Sequence, residues 1–119
     1  MSQCKISVDY GAAFDILAIF NVKINLCIGP KKDQSIYNFR QLSREISNQI
    51  GDYLFNKIMG SDEYKELYAV NLLTFNKVAE AQKSTGLAKE VDDANFSRFT
   101  KKNELQKKFF GTEVSEVKV

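Results

Sequence analysis

LAKEVDDANFSRFTKKNELQKKFF, residues 87–110, decides the fold. Val91, Ala94, Leu105 and Phe109 recur at the spacing that puts side chains on one face of an α-helix. Asn95, Arg98 and Lys102 fall on or beside the same face. Polar groups on an inward stripe must find partners, because an unpaired buried charge is costly. The stretch therefore predicts a long helix in a helical core, with a polar layer or a site lining on its inner side. Glu90, Asp92 and Asp93 come early and Lys101, Lys102, Lys107 and Lys108 late, which matches the helix macrodipole.

Working backwards, Ser61-Asp62-Glu63 supplies a cap and negative charge for a preceding helix. That helix is expected to bury Tyr64, Leu67, Tyr68, Phe75, Val78 and Ala79, with Asn71 in mid-stripe, and to close at Ser84-Thr85-Gly86. Before it, a helix beginning after Asp33 or Ser35 and ending at Gly60 carries Phe39, Leu42, Ile46, Ile50, Tyr53 and Leu54. Residues 28–33 read as a turn, because Gly29 ends one helix and Pro30, the only proline, prevents its continuation. The first helix runs from about Gly11 to Cys27, with Asp9 as its cap. Ala13, Ile16, Leu17, Phe20, Ile24 and Cys27 fill one of its faces; Ala12, Ile19, Val22 and Leu26 extend apolarity onto a second. A helix apolar on two sides is central to a bundle or part of a subunit interface.

The chain of 119 residues suits one domain, 1–119, with a single core. Lys5 to Val8 reads as a short extended segment. Residues 111–119 are either a flexible tail or a partner for that segment in a two-stranded pairing of the termini. The net charge of +2 creates no general field toward nucleic acid or membrane. The N-terminus lacks the pattern of a signal peptide. Asp15, Asn21, Lys23 and Asn25 interrupt the most hydrophobic segment, Ala12 to Ile28, so it is a poor membrane span. A cytoplasmic protein is the expectation.

Histidine is absent, which excludes histidine general bases, histidine metal ligands and Ser-His or Cys-His pairs. Cys4 and Cys27 form no CxxC and are read as reduced thiols, with Cys27 in the core. No metal site, phosphate loop, nucleophile elbow or HExxH helix is present, and no cofactor is implied. Arg40, Arg44 and Arg98, the only arginines, do not reproduce the cationic pattern of a helical chorismate mutase.

Three constellations remain. Asn95, Arg98 and Lys102 lie on neighbouring turns of one helix face, where a guanidinium fork, an ammonium and an amide would cradle an anion. The bland reading is a set of ion pairs with other helices. Asp15 lies on an apolar stripe and needs a cation; Arg98 or Lys102 is the obvious supplier, and a pair with Arg98 inside the bundle is the expectation. Asn71 is a candidate third member, although the favoured reading of it is a buried amide that satisfies a backbone group. The lysines at 101–108, with Phe99, Phe109 and Phe110, would suit nucleic acid. Core packing uses those phenylalanines more economically, and the lysines read as a solvated helix end.

The ends of the chain carry a resemblance. Ile6-Ser7-Val8-Asp9-Tyr10-Gly11, then Asp15, Ile19 and Val22-Lys23, resembles the opening of a small bacterial and phage family of uncharacterised proteins. Its members begin V-S-Y-G-E and continue into a D-K-I-x-I-L-x-I-K helix. Leu67, Val70-Asn71, Asn95, Arg98, Lys102 and Leu105 are similar to that family's later helices, and residues 111–118 to its G-S-x-x-x-E-E-K ending. Ala12, Ile16 and Phe75 stand where the family has glutamate, lysine and tryptophan, which implies a divergent relative. The resemblance implies a helical fold and singles out Asp15, Lys23, Asn71, Asn95, Arg98 and Lys102; it implies no activity.

These readings converge on an all-α, four-helix-bundle-like domain. The expected function is a non-enzymatic structural or interaction protein working through helical surfaces as a homodimer, with a protein partner. The alternative is a small-anion-binding protein or enzyme using the polar cluster, with Asp15 as acid or base.

Overall fold

The computed structural model describes residues 9–83 and 88–111, with side chains throughout except at 80–83 and 88–91. Five helices follow one another: α1 (Tyr10–Leu26), α2 (Pro30–Ile50), α3 (Asp52–Met59), α4 (Asp62–Lys83) and α5 (Ala88–Phe110). The all-α reading holds, and no strand occurs among the described residues. The anticipated pairing of the termini falls on residues outside that set, as does Cys4.

The second anticipated helix is two helices. Gly51, at φ 90° and ψ 152°, takes a backbone conformation that is essentially glycine's own, and the chain turns there from α2 into α3. That helix also begins earlier than expected, at Pro30 rather than after Asp33. Proline at the first helical position loses only an N–H that would have no intrahelical partner. Ser61 caps α4 as anticipated: its Oγ accepts from the Tyr64 N–H at 3.2 Å and donates to the Ile58 carbonyl at 2.6 Å.

Helix α1 is the centre of the assembly and packs against α2, α4 and α5. Its buried positions, Gly11, Ala13, Phe14, Asp15, Leu17, Ala18 and Val22, spread around most of its circumference, as two apolar faces require. Phe14 and Leu17 join Ile58, Leu67 and Leu105 in the fully buried core, which draws on α1, α3, α4 and α5. Phe14 packs against the Phe55 ring in a tilted arrangement at 5.8 Å and meets the Tyr64 ring nearly edge-on at 6.5 Å. Several expected core members lie further out. Tyr53 is mostly exposed, Cys27 is half-buried, and Ile16, Leu26, Phe75 and Val78 all show substantial surface.

The start of α1 is held in an unexpected way. Asp9 makes no side-chain capping hydrogen bond. The Gly11 N–H instead donates to the buried Gln106 Oε1 at 2.6 Å, so a side chain of α5 satisfies an orphan donor of α1. The approach is close enough to require glycine. A Cβ at Gly11 would lie 2.9 Å from both Gln106 Cβ and the Lys102 carbonyl oxygen. Beside this contact the Tyr10 ring stacks on Phe110 at 4.7 Å, and its hydroxyl donates to Gln49 at 2.8 Å.

Two predictions follow from this packing. Gly11→Ala gains about 1 kcal/mol of helix propensity, yet the new methyl meets backbone as well as side chain. Urea denaturation should therefore show a net loss of roughly 1–2 kcal/mol. Gly60→Ala is the control: its Cβ finds only an ordinary 3.5 Å contact, and its effect should stay within about 0.5 kcal/mol. The second concerns alkaline pH. Burial pushes the Tyr64 phenol above its ordinary value of 10.0, against the Asn21 hydrogen bond. A raised tyrosine stabilises fully below the unfolded value and loses that contribution as pH rises through the folded one. Wild type should accordingly lose stability faster than Tyr64→Phe above pH 10; parallel pH profiles would show that Tyr64 contributes nothing.

Candidate functional site

Asp15, Asn71 and Arg98 meet where α1, α4 and α5 come together. Asp15 is 4% exposed, and both of its oxygens are occupied. Oδ1 accepts from Asn71 Nδ2 at 2.8 Å, and Oδ2 lies 3.3 Å from Arg98 Nε. Asn71 Nδ2 also donates to the Leu67 carbonyl at 3.0 Å. Both neighbours of that nitrogen are pure acceptors, which fixes the orientation of the amide. The expected Asp15–Arg98 pair is therefore present, with Asn71 as its third member.

The other sequence candidates stand apart. Asn95 is exposed, and so is Lys23 on α1. Lys102 sits 5.5 Å from the Phe99 ring centroid on its own helix. Helical geometry gives the reason: at about 100° per residue, Asn95 is turned some 60° from Arg98. Ala94, by contrast, falls close to the Arg98–Leu105 line and is buried. Of Asn95, Arg98 and Lys102, Arg98 takes part in the buried pair with Asp15. Gln106, which sequence reasoning passed over, is a buried polar residue of α5. Its only signal was a polar residue next to Leu105 on the stripe.

In front of the Asp15–Asn71–Arg98 cluster is a cleft of about 280 Å³ between α1, α4 and α5. Ile19, Val22, Phe75, Val78 and Ala79 form its apolar walls, and Asn71, Thr74 and Arg98 its polar part. This explains the exposure of Phe75 and Val78, whose stripe faces the cleft rather than a neighbouring helix. Thr74 donates its hydroxyl proton to the Val70 carbonyl at 2.7 Å.

Two lysines of α5, Lys101 and Lys108, join it to α4. Lys108 donates to Glu63 at 2.9 Å and holds that carboxyl below its ordinary range. Lys101 lies 3.4 Å from both Glu104 and Glu66, and the hydrogen bond to Glu104, with Glu66 behind it, raises its ammonium above the usual value. Phe109 and Phe110 pack against the core. Among the described residues, no three or more of His, Cys, Asp or Glu are placed to hold a metal, and no helix is long and apolar enough to cross a membrane. No protein-family model, curated protein or solved structure matches this chain.

A mutant cycle tests the cluster as a unit. Asp15→Asn should cost about 1–3 kcal/mol, because it weakens charge-assisted bonds in a buried place. Arg98→Gln should cost a similar or smaller amount, since the side chain is 32% exposed and partly screened. The double variant should cost less than the sum, by at least about 0.5 kcal/mol. An Asp15→Asn penalty no larger than that of an ordinary surface change, about 0.5 kcal/mol, would remove the pair from the account.

Proposed function

We propose that this chain is a cytosolic, non-enzymatic binding and interaction protein that works through its helical surfaces, as a homodimer. The observation that carries the reading is the state of Asp15. The one carboxylate in the cluster has both oxygens engaged, by a guanidinium and an amide. A general base must reach a substrate proton, and the Asp15 carboxylate is buried and holds Asn71 and Arg98 in place. The sequence adds no histidine to take over the role.

The surface supports association. Leu26 and Ile28, at the end of α1 and in the following turn, are 47% and 87% exposed. Apolar residues concentrated at one end of a helix favour contact with another apolar surface over water. The resemblance to a small bacterial and phage family belongs to the same proposal, as a relationship that carries no activity with it.

Sedimentation equilibrium tests the dimer. Wild type should sediment with twice the chain mass at micromolar concentration, and a Leu26→Asp/Ile28→Asp variant as a monomer with unchanged helicity. A wild type that stays monomeric up to millimolar concentration would exclude self-association and leave heterologous partners.

A further inference from the structure

The cleft between α1, α4 and α5 combines an apolar interior with two polar groups whose bonding capacity is incomplete. Asn71 is 96% buried by its 4% exposure. Its nitrogen donates to Asp15 and to the Leu67 carbonyl. Because Asn71 lines the cleft, the carbonyl Oδ1 is the part of it left to do so, as an acceptor. Arg98 also lines the cleft. Its Nε faces Asp15 Oδ2, and a guanidinium has five N–H donors, so the Nη pair remains to serve the cleft that Arg98 lines. One donor edge and one buried acceptor thus open onto the same apolar space.

Charge decides what fits them. Asp15 already balances Arg98, so the polar end of the cleft is neutral. A second carboxylate there would lose its hydration without gaining a free countercharge, and it would lie near the Asn71 carbonyl oxygen. An ammonium would face the guanidinium. A carboxamide satisfies both groups at no charge: its C=O accepts from Arg98, and its N–H donates to Asn71 Oδ1. At about 30 Å³ per water-sized volume, 280 Å³ holds a ligand of about nine non-hydrogen atoms. We infer that this cleft binds a small neutral molecule with an apolar body and a terminal amide, through Arg98 Nη and Asn71 Oδ1. This site is independent of self-association and goes beyond the interaction reading above.

The test is an NMR titration of the uniformly labelled full chain with hexanamide, hexanoate and hexylammonium, three probes of one tail length. Hexanamide should bind saturably, with shift changes at Ile19, Val22, Thr74, Phe75 and Val78, and at least tenfold more tightly than either charged probe. Val78→Trp, which places a larger ring at a partly exposed wall position, should weaken hexanamide at least tenfold while keeping native helicity and melting temperature. Hexanoate binding as tightly as hexanamide would overturn the assignment. So would the absence of saturable hexanamide binding, or shifts confined to other surfaces. The ranking of probes is read on wild type, so the outcome stands even if the tryptophan variant fails to fold.

Discussion

A carboxylate inside an apolar helix imposes a condition on everything around it. Asp15 sits beside Phe14 and within a turn of Leu17 and Ala18 in the most enclosed stretch of α1, and burying it unpaired would cost several kcal/mol. The neighbours that relieve that cost are Asn71 of α4 on one oxygen and Arg98 of α5 on the other. Sliding either helix by a turn would carry its partner group away by about 5.4 Å. The cluster therefore fixes the register of three helices, whereas hydrophobic burial alone would tolerate several. Such a pair adds little net stability compared with well-packed apolar side chains, and its contribution is specificity of register.

A second constraint acts about one turn earlier along α1, against the end of α5. Gly11 against Gln106 and Asp15 against Arg98 show α1 and α5 running antiparallel, with contact closest where glycine permits it. The Gln106 amide replaces the cap that Asp9 does not provide. Helix α4 is fastened to α5 from outside by Lys108–Glu63 and by Lys101–Glu66, pairs that are exposed and individually weak. These pairs still place the acidic start of α4 beside the basic end of α5, where both macrodipoles favour them. The basic cluster thus reads as part of helix pairing.

The helical class, the Ser61 cap and the Asp15–Arg98 pair were legible in the sequence, whereas α1 read equally as bundle centre or subunit interface, and Asn71 read first as a backbone partner, a role it fills at Leu67 besides joining Asp15. Each follows from a periodic pattern or from the demand of one buried charge for another. What was not legible depended on angles of a few tens of degrees or on close approach. Asn95 and Arg98 look like one face when spacing alone is considered, yet the extra rotation takes Asn95 into water. Gly51 looked like an isolated glycine within a stripe, because apolar spacing continues across it from Ile50 to Leu54. Its positive φ is a property of the turn between α2 and α3, and no periodicity encodes it. Phe75 and Val78 keep helical spacing with Leu67 and Asn71, but the space they face is a cleft. Sequence pattern reports that a side chain is apolar, without reporting whether a neighbour fills the volume before it.

The cleft and the ion pair are two consequences of one placement. An apolar side chain at position 71 would pack against Ile19 and Val22, but it would leave Asp15 with a single partner. Asparagine satisfies Asp15, and its second polar atom must then point somewhere. With the nitrogen committed to two acceptors, the carbonyl is left facing the cavity, where no described side chain donates to it. The Arg98 fork obeys the same logic, since engaging Nε directs its outer edge away from Asp15. A cluster that exists to neutralise one buried charge so generates an unmatched donor and an unmatched acceptor beside an apolar hollow. Recognition there would be neutral by construction, because the charges present among the described residues, Asp15 and Arg98, are already paired with each other. The group that fixes the register of the helices is in this way also the group that defines what the cleft can hold.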